Sequence, residues 1–138
     1  MQKVIQEALQ RDRTIDIITL GARTGLERTT EIWFHNLNGR IIICGTPGGV
    51  GGRGITRRDW LANLKANPEF RFRLKETVDA ELPARARIIT DPRERRSIMS
   101  APATDWYRHQ GYSMQELVVG SPIVEVQFLQ APCGDQLA

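Results

Sequence analysis

The apolar positions change period repeatedly along the 138 residues. Within residues 2–11, Val4, Ile5, Ala8 and Leu9 share one face at helical spacing, which predicts a short amphipathic helix inside an N-terminal stretch of residues 1–13. The β-branched run Thr14–Leu20 predicts a strand, and residues 29–37 predict a second. Between them the glycine-bounded residues 21–25 form a turn. Asn38-Gly39 is a type I′ hairpin signal, because both central positions of that turn need positive φ. Residues 40–45 return as a strand whose unbroken apolar run implies burial on both faces.

The glycine-dense residues 46–55 are read as a loop, with Thr56 as an N-cap and Asp59 near the start of the following helix. Trp60, Leu61 and Leu64 give that helix its buried face, and Asn67-Pro68 ends it, since a residue before proline avoids the helical region. Phe70, Phe72 and Leu74 alternate with Arg71, Arg73 and Lys75, which predicts a half-buried strand, and residues 81–89 continue the alternation. Asp91-Pro92 opens a helix that runs through Ile98 and Met99. Residues 101–120 carry no clean period and are read as a loop with a short helix. Residues 122–129 form the last strand, and residues 131–138 are expected to fray. Six antiparallel strands with two or three short helices, and no regular βαβ alternation, argue against a dinucleotide-binding parallel sheet. The expectation is one mainly β (α+β) domain over residues 1–138, a closed or nearly closed barrel with helices at its ends.

Composition narrows the class. An apolar share of 41% and a charged share of 25% fit a globular domain. No apolar run approaches the ~20 residues that span a bilayer, and no secretory signal is read at the start, so a cytoplasmic protein is expected. Cys44 and Cys133 are too few for a disulfide scaffold, and no histidine pair joins them in a metal site. The net charge of 19 − 16 = +3 is low for a dedicated nucleic-acid domain. Arginine far outnumbers lysine, which occurs only as Lys3, Lys65 and Lys75. Either this is compositional bias on a solvated surface, or a few arginine forks hold an anionic ligand.

Four features carry candidate chemistry. In the turn at residues 21–30, backbone N–H groups, the Thr24 hydroxyl and the forks of Arg23 and Arg28 suit a phosphate; an ordinary turn with exposed arginines is the plainer reading. The glycine loop at residues 45–54 matches no nucleotide-binding fingerprint and is either an anion loop or a connection. The ladder of Arg71, Arg73, Lys75, Arg85 and Arg87 lacks stacking aromatics and reads better as a solvated face than as a nucleic-acid surface. Trp106, Tyr107 and Tyr112, with His109 among them, suit either a lid over an apolar substrate or a core. Neither His35 nor His109 stands in a hydrolytic triad pattern.

The segments TLGARTGLERTTEIWF, NGRIIICG, RDWLANLKANPEFRFRLK and ELPARARIITDPRERR together resemble the deazaflavin (F-420)-dependent nitroreductase family, within the split β-barrel flavin and deazaflavin oxidoreductases. The resemblance covers residues 14–100. It implies a six-stranded antiparallel split β-barrel with short flanking helices, and a redox cofactor laid in a groove. By position, Arg23, Thr24 and Arg28, with Gly25 in the same turn, would hold the phosphate, and Asn63 would lie close by. Thr29, Thr30, Cys44, Gly45 and Thr46 would line the ring system, with Trp60 packed beside the groove. Trp33, Trp106, Tyr107 and Tyr112 would border a small-molecule substrate, and Tyr112 or Ser113 is a candidate proton donor. The chain departs from the family at Pro47, where relatives often carry a basic residue, and Arg53 is the candidate replacement. FMN is therefore the alternative cofactor to F-420. The implied reaction is hydride transfer to a quinone, nitroaromatic or activated alkene. The rival class is a non-enzymatic barrel holding an anionic small molecule or nucleic acid. A homodimer is compatible with the resemblance.

Overall fold

The computed structural model describes residues 1–48 and 59–129. Helix α1 (Lys3–Arg11) buries Ala8 and Leu9, and leads into strand β1 (Thr14–Leu20). Strands β2 (Glu27–Trp33), β3 (His35–Leu37) and β4 (Arg40–Cys44) follow. Beyond them lie α2 (Asp59–Ala66), β5 (Glu69–Leu74), β6 (Ala80–Ile88) and α3 (Pro92–Ser100). A 3-10 turn (Pro102–Thr104), α4 (Asp105–Arg108), α5 (Met114–Gly120) and β7 (Ile123–Phe128) complete the described chain. The loop from Gly49 onward, the Thr56 cap and the tail lie outside the described residues.

The strands form one antiparallel sheet in the order β2-β1-β5-β6-β7-β4-β3. Its two end strands, β2 and β3, are neighbours in the chain, separated only by Phe34. The single strand predicted over residues 29–37 is thus two, and the sheet has seven strands rather than six. Phe34 is the corner. Its side chain is buried against Phe72 with ring centroids 5.4 Å apart, and its N–H donates to the Arg13 carbonyl at 2.8 Å. Pairing with β1 before the corner and with β4 after it brings the two ends of the sheet together at Phe34, while the outer edge of β2 takes no strand partner among the described residues.

Two apolar clusters lie on opposite faces. Ile15, Ile17, Ile43, Phe72 and Leu74 fill the barrel. Ile42, Ile89, Ile98, Met99 and Leu117 pack between the sheet and the helices from α3 to α5. Because β4 sends Ile41 and Ile43 to one cluster and Ile42 and Cys44 to the other, its apolar run has no polar alternation. The hairpin before it has Asn38 at φ 53° and Gly39 at φ 95°, as a type I′ turn demands. The helices number five among the described residues, more than the two or three expected. Residues 101–120, read as a loop with one short helix, hold two, α4 and α5, the latter started by a capping box in which Ser113 and Glu116 exchange side-chain to backbone bonds.

On the outer face the basic ladder is neutralised. Arg71 pairs with Glu27 and Glu81, Arg73 with Asp16 and Asp79, and Lys75 with Asp16 and Glu31. Arg85 pairs with Glu69, and Arg87 with Glu94 and Glu125. The face carries mixed charge, as the solvated reading expects. Among the described residues no helix is long and apolar enough to cross a membrane.

Candidate functional site

The turn after β1 is tied at both ends. Gly21 N–H donates to the Leu26 carbonyl at 2.8 Å, and Gly25 N–H to the Gly21 carbonyl at 2.9 Å. Leu26 N–H donates to Thr24 Oγ1 at 3.1 Å. Gly25 sits at φ 70°, and a Cβ on Gly21 would lie 2.6 Å from Thr24 Oγ1, so both glycines are required by the bend. Asn63, buried in α2, braces the turn from behind. Its Oδ1 accepts the Ala22 N–H at 2.9 Å, and its Nδ2 donates to Thr19 Oγ1 at 3.1 Å.

These bonds change the reading of the turn. Four of its amides are spent internally, which leaves the Arg23 and Thr24 N–H groups and the Thr24 hydroxyl proton as donors. The charge comes from Arg23 and Arg28, neither of which forms an ion pair among the described residues, in contrast to the paired arginines of the outer face. Asn63 sits close to the turn, with both ends of its amide occupied by protein.

From this turn a groove runs along the edge of β2 that β1 does not use. Its first part, a cleft of about 550 Å³, is walled by Arg23, Thr24, Arg28, Thr29, Thr30, Trp60 and Asn63, together with Gly21, Ala22, Asp59 and Ala62. Its second part, about 430 Å³, is walled by Trp33, Cys44, Gly45, Thr46, Trp106 and Tyr107, together with Thr14, Glu31 and Ile32. Thr30 and Trp60 border both. Consecutive residues from Arg28 to Trp33 line it, so the strand's free edge, not one of its faces, forms the wall, and main-chain donors and acceptors face the groove.

The far end is aromatic. Trp33 and Trp106 meet edge to face at 5.2 Å, and Trp106 meets Tyr107 at 5.1 Å. The Arg13 guanidinium lies 4.2 Å over the Trp33 ring. Behind this wall His35 is buried, with Nε2 2.8 Å from the Tyr107 hydroxyl. Burial, helped by the Arg13 charge, pushes the His35 pKa down to about 4, so its imidazole is neutral. The Tyr107 hydroxyl also reaches the Cys44 carbonyl at 3.3 Å.

Tyr112 packs on the helical cluster and borders neither part of the groove. Ser113 caps α5, its oxygen accepting the Glu116 N–H at 3.0 Å. Gly25 shapes the turn without walling the groove. Thr14, Glu31 and Ile32 were outside the sequence reading. Thr14 enters because the register sets it opposite Trp33, a pairing that only the folded sheet reveals. Among the described residues no cluster of metal-ligating side chains occurs.

A sheet closed by one bent strand, with a cationic turn at one end of an edge-lined groove, defines a split-barrel protein. Solved structures share this fold. A conserved hypothetical protein of Mycobacterium tuberculosis is 18% identical with a TM-score of 0.62, covering 94% of this chain and 82% of that one. An F-420 reductase is 18% identical with a TM-score of 0.59, covering 91% of this chain and 93% of its own. A FAD-binding protein of Mesorhizobium loti is 12% identical with a TM-score of 0.60, covering 94% of this chain and 91% of its own. The model of the F-420H(2)-dependent quinone reductase family matches residues 3–124, and the chain belongs to that family. Its class is therefore deazaflavin-dependent oxidoreductase, with F-420 the cofactor the family is named for.

Proposed function

We propose that this chain binds F-420 in the groove and uses it to reduce a flat, small organic acceptor seated against Trp33 and Trp106. The observation that carries the reading is the pair Arg23 and Arg28, without a carboxylate partner among the described residues, on a braced turn at one end of the groove, where the arginines of the outer sheet face are matched by carboxylates. An anionic ligand is the missing counter-charge, and a phosphate fits a pair of guanidinium forks beside the Thr24 hydroxyl. The free edge of β2, facing Cys44 to Thr46, suits the alternating donors and acceptors of a fused pyrimidine ring.

When bound, the reduced deazaflavin supplies a hydride equivalent. The chain's part is placement. Trp60 and Thr30 border both parts of the groove and would separate the end that holds the phosphate from the end that holds the ring. Trp33 and Trp106 offer aromatic edges and faces for a planar acceptor, which brings it close to the ring and excludes water. The Tyr107 hydroxyl, bonded to His35 Nε2 and to the Cys44 carbonyl, fixes its ring in this wall, while Ser113 is engaged as the cap of α5. A quinone fits the family description; a nitroaromatic has the same flat shape.

The test is to mix the chain anaerobically with reduced F-420 and offer a naphthoquinone and a nitroaromatic. Saturable reoxidation of the cofactor with at least one of them is expected. Cofactor binding with no acceleration for either acceptor would leave a binding protein and overturn the reading. A parallel titration with FMN decides the cofactor, and tighter binding of FMN than of F-420 would reverse that part.

A further inference from the structure

A cavity of about 590 Å³ lies apart from the groove. It lies along the Leu61 and Lys65 side of α2, against the ends of β6 and β7 and the junction of α5 with β7. Ala62 is the one residue it shares with the groove among the described residues. A volume of this size is typical of small-molecule sites.

Its chemistry is one-sided. Among the described residues no carboxylate lines it, whereas Arg95 and Lys65 do. Arg95 is partly buried and held by three carbonyls, Nε to Val118 at 2.6 Å, Nη1 to Ile89 at 2.7 Å, and Nη2 to Ser121. Among the described residues three of the five guanidinium donors are used, and none meets a counter-charge. Burial accordingly pushes the Arg95 pKa down. The three carbonyls hold the guanidinium in place without neutralising its charge, so Arg95 and the neighbouring Lys65 ammonium give the cavity a cationic end. The facing wall is apolar, with Leu61, Ile88 and Ile123.

We propose that this cavity binds a small amphipathic organic anion, separate from the redox cofactor, with a carboxylate or phosphate ester head on Arg95 and Lys65 and a short apolar body on Leu61 and Ile88. The guanidinium is already fixed by three carbonyls, so little freedom is lost when the head group arrives. The apolar wall argues against a hydrophilic acidic chain, such as a tail of the cofactor reaching around α2.

The test uses hexanoate, hexyl phosphate and neutral hexanol, titrated into the intact chain with amide shifts followed by NMR. Hexanoate or hexyl phosphate should shift Arg95, Ser121 and Thr90 saturably, with hexanol at least tenfold weaker. Lys65→Glu, at an exposed position, should weaken the anion at least tenfold. Lys65→Glu should leave the urea midpoint of the free protein unchanged, which separates binding from folding. Saturating F-420 should leave hexanoate binding in place. Equal binding of hexanol and hexanoate, an unchanged affinity in Lys65→Glu, shifts confined to the β2 groove, or displacement by F-420 would each overturn the proposal.

Discussion

Single residues set the site's shape through bonds that no ligand makes. Asn63 joins α2 to the turn and to β1 through its two amide atoms. Asn63→Ala removes both bonds and strands a buried hydroxyl and an amide, so a loss of about 2–3 kcal/mol in unfolding free energy is expected by urea titration. His35 contributes a pH dependence. Its folded pKa of about 4 lies below the ordinary 6.5, so the unfolded chain takes up the proton first. Stability from this group is complete above the unfolded value and falls as pH drops through the window between the two, by about 3 kcal/mol in all. His35→Gln should flatten the change in unfolding free energy between about pH 7 and pH 4.5; an unchanged slope would remove His35 as its source. Of these residues, Asn63 was visible in sequence as lying near the turn, but not as its brace. His35 was visible only as a histidine outside any triad, because burial depends on which residues the corner at Phe34 brings together.

At the scale of elements, most boundaries were readable. The strict alternation of β5, the β-branched run of β1 and the Asn38-Gly39 turn are local signals, and each element formed where its signal stood. The split of β2 from β3 was not readable, because residues 29–37 are uniformly strand-forming and the bend at Phe34 is decided by packing on Phe72, far away in sequence. Helix α5 was readable in principle: Ser113 and Glu116 are three residues apart ahead of an apolar run, the spacing of a capping box. The turn after β1 is where element and function meet. Gly25→Ala places a Cβ at φ 70°, in the left-handed region, at a cost of about 1–2 kcal/mol. Because the strain falls on the turn that carries Arg23 and Arg28, F-420 affinity should fall in the same variant; wild-type affinity in a destabilised Gly25→Ala protein would separate the turn from the site.

For the whole molecule, two distributions of charge matter. The outer sheet face is an interlocked set of ion pairs, each individually weak because exposed, and it leaves no cationic stripe for a polyanion. The turn leading into β2 keeps Arg23 and Arg28 without ion pairs among the described residues. The most direct test of the account is an equilibrium titration of F-420 into the wild type, Arg28→Ala and, as a control from the paired face, Arg71→Ala. The account predicts saturable one-to-one binding that Arg28→Ala weakens by about 1.5–3 kcal/mol, the range for a hydrogen bond to a charged group, while Arg71→Ala binds as the wild type does. No binding by the wild type, or equal affinity in the wild type and Arg28→Ala, would contradict it.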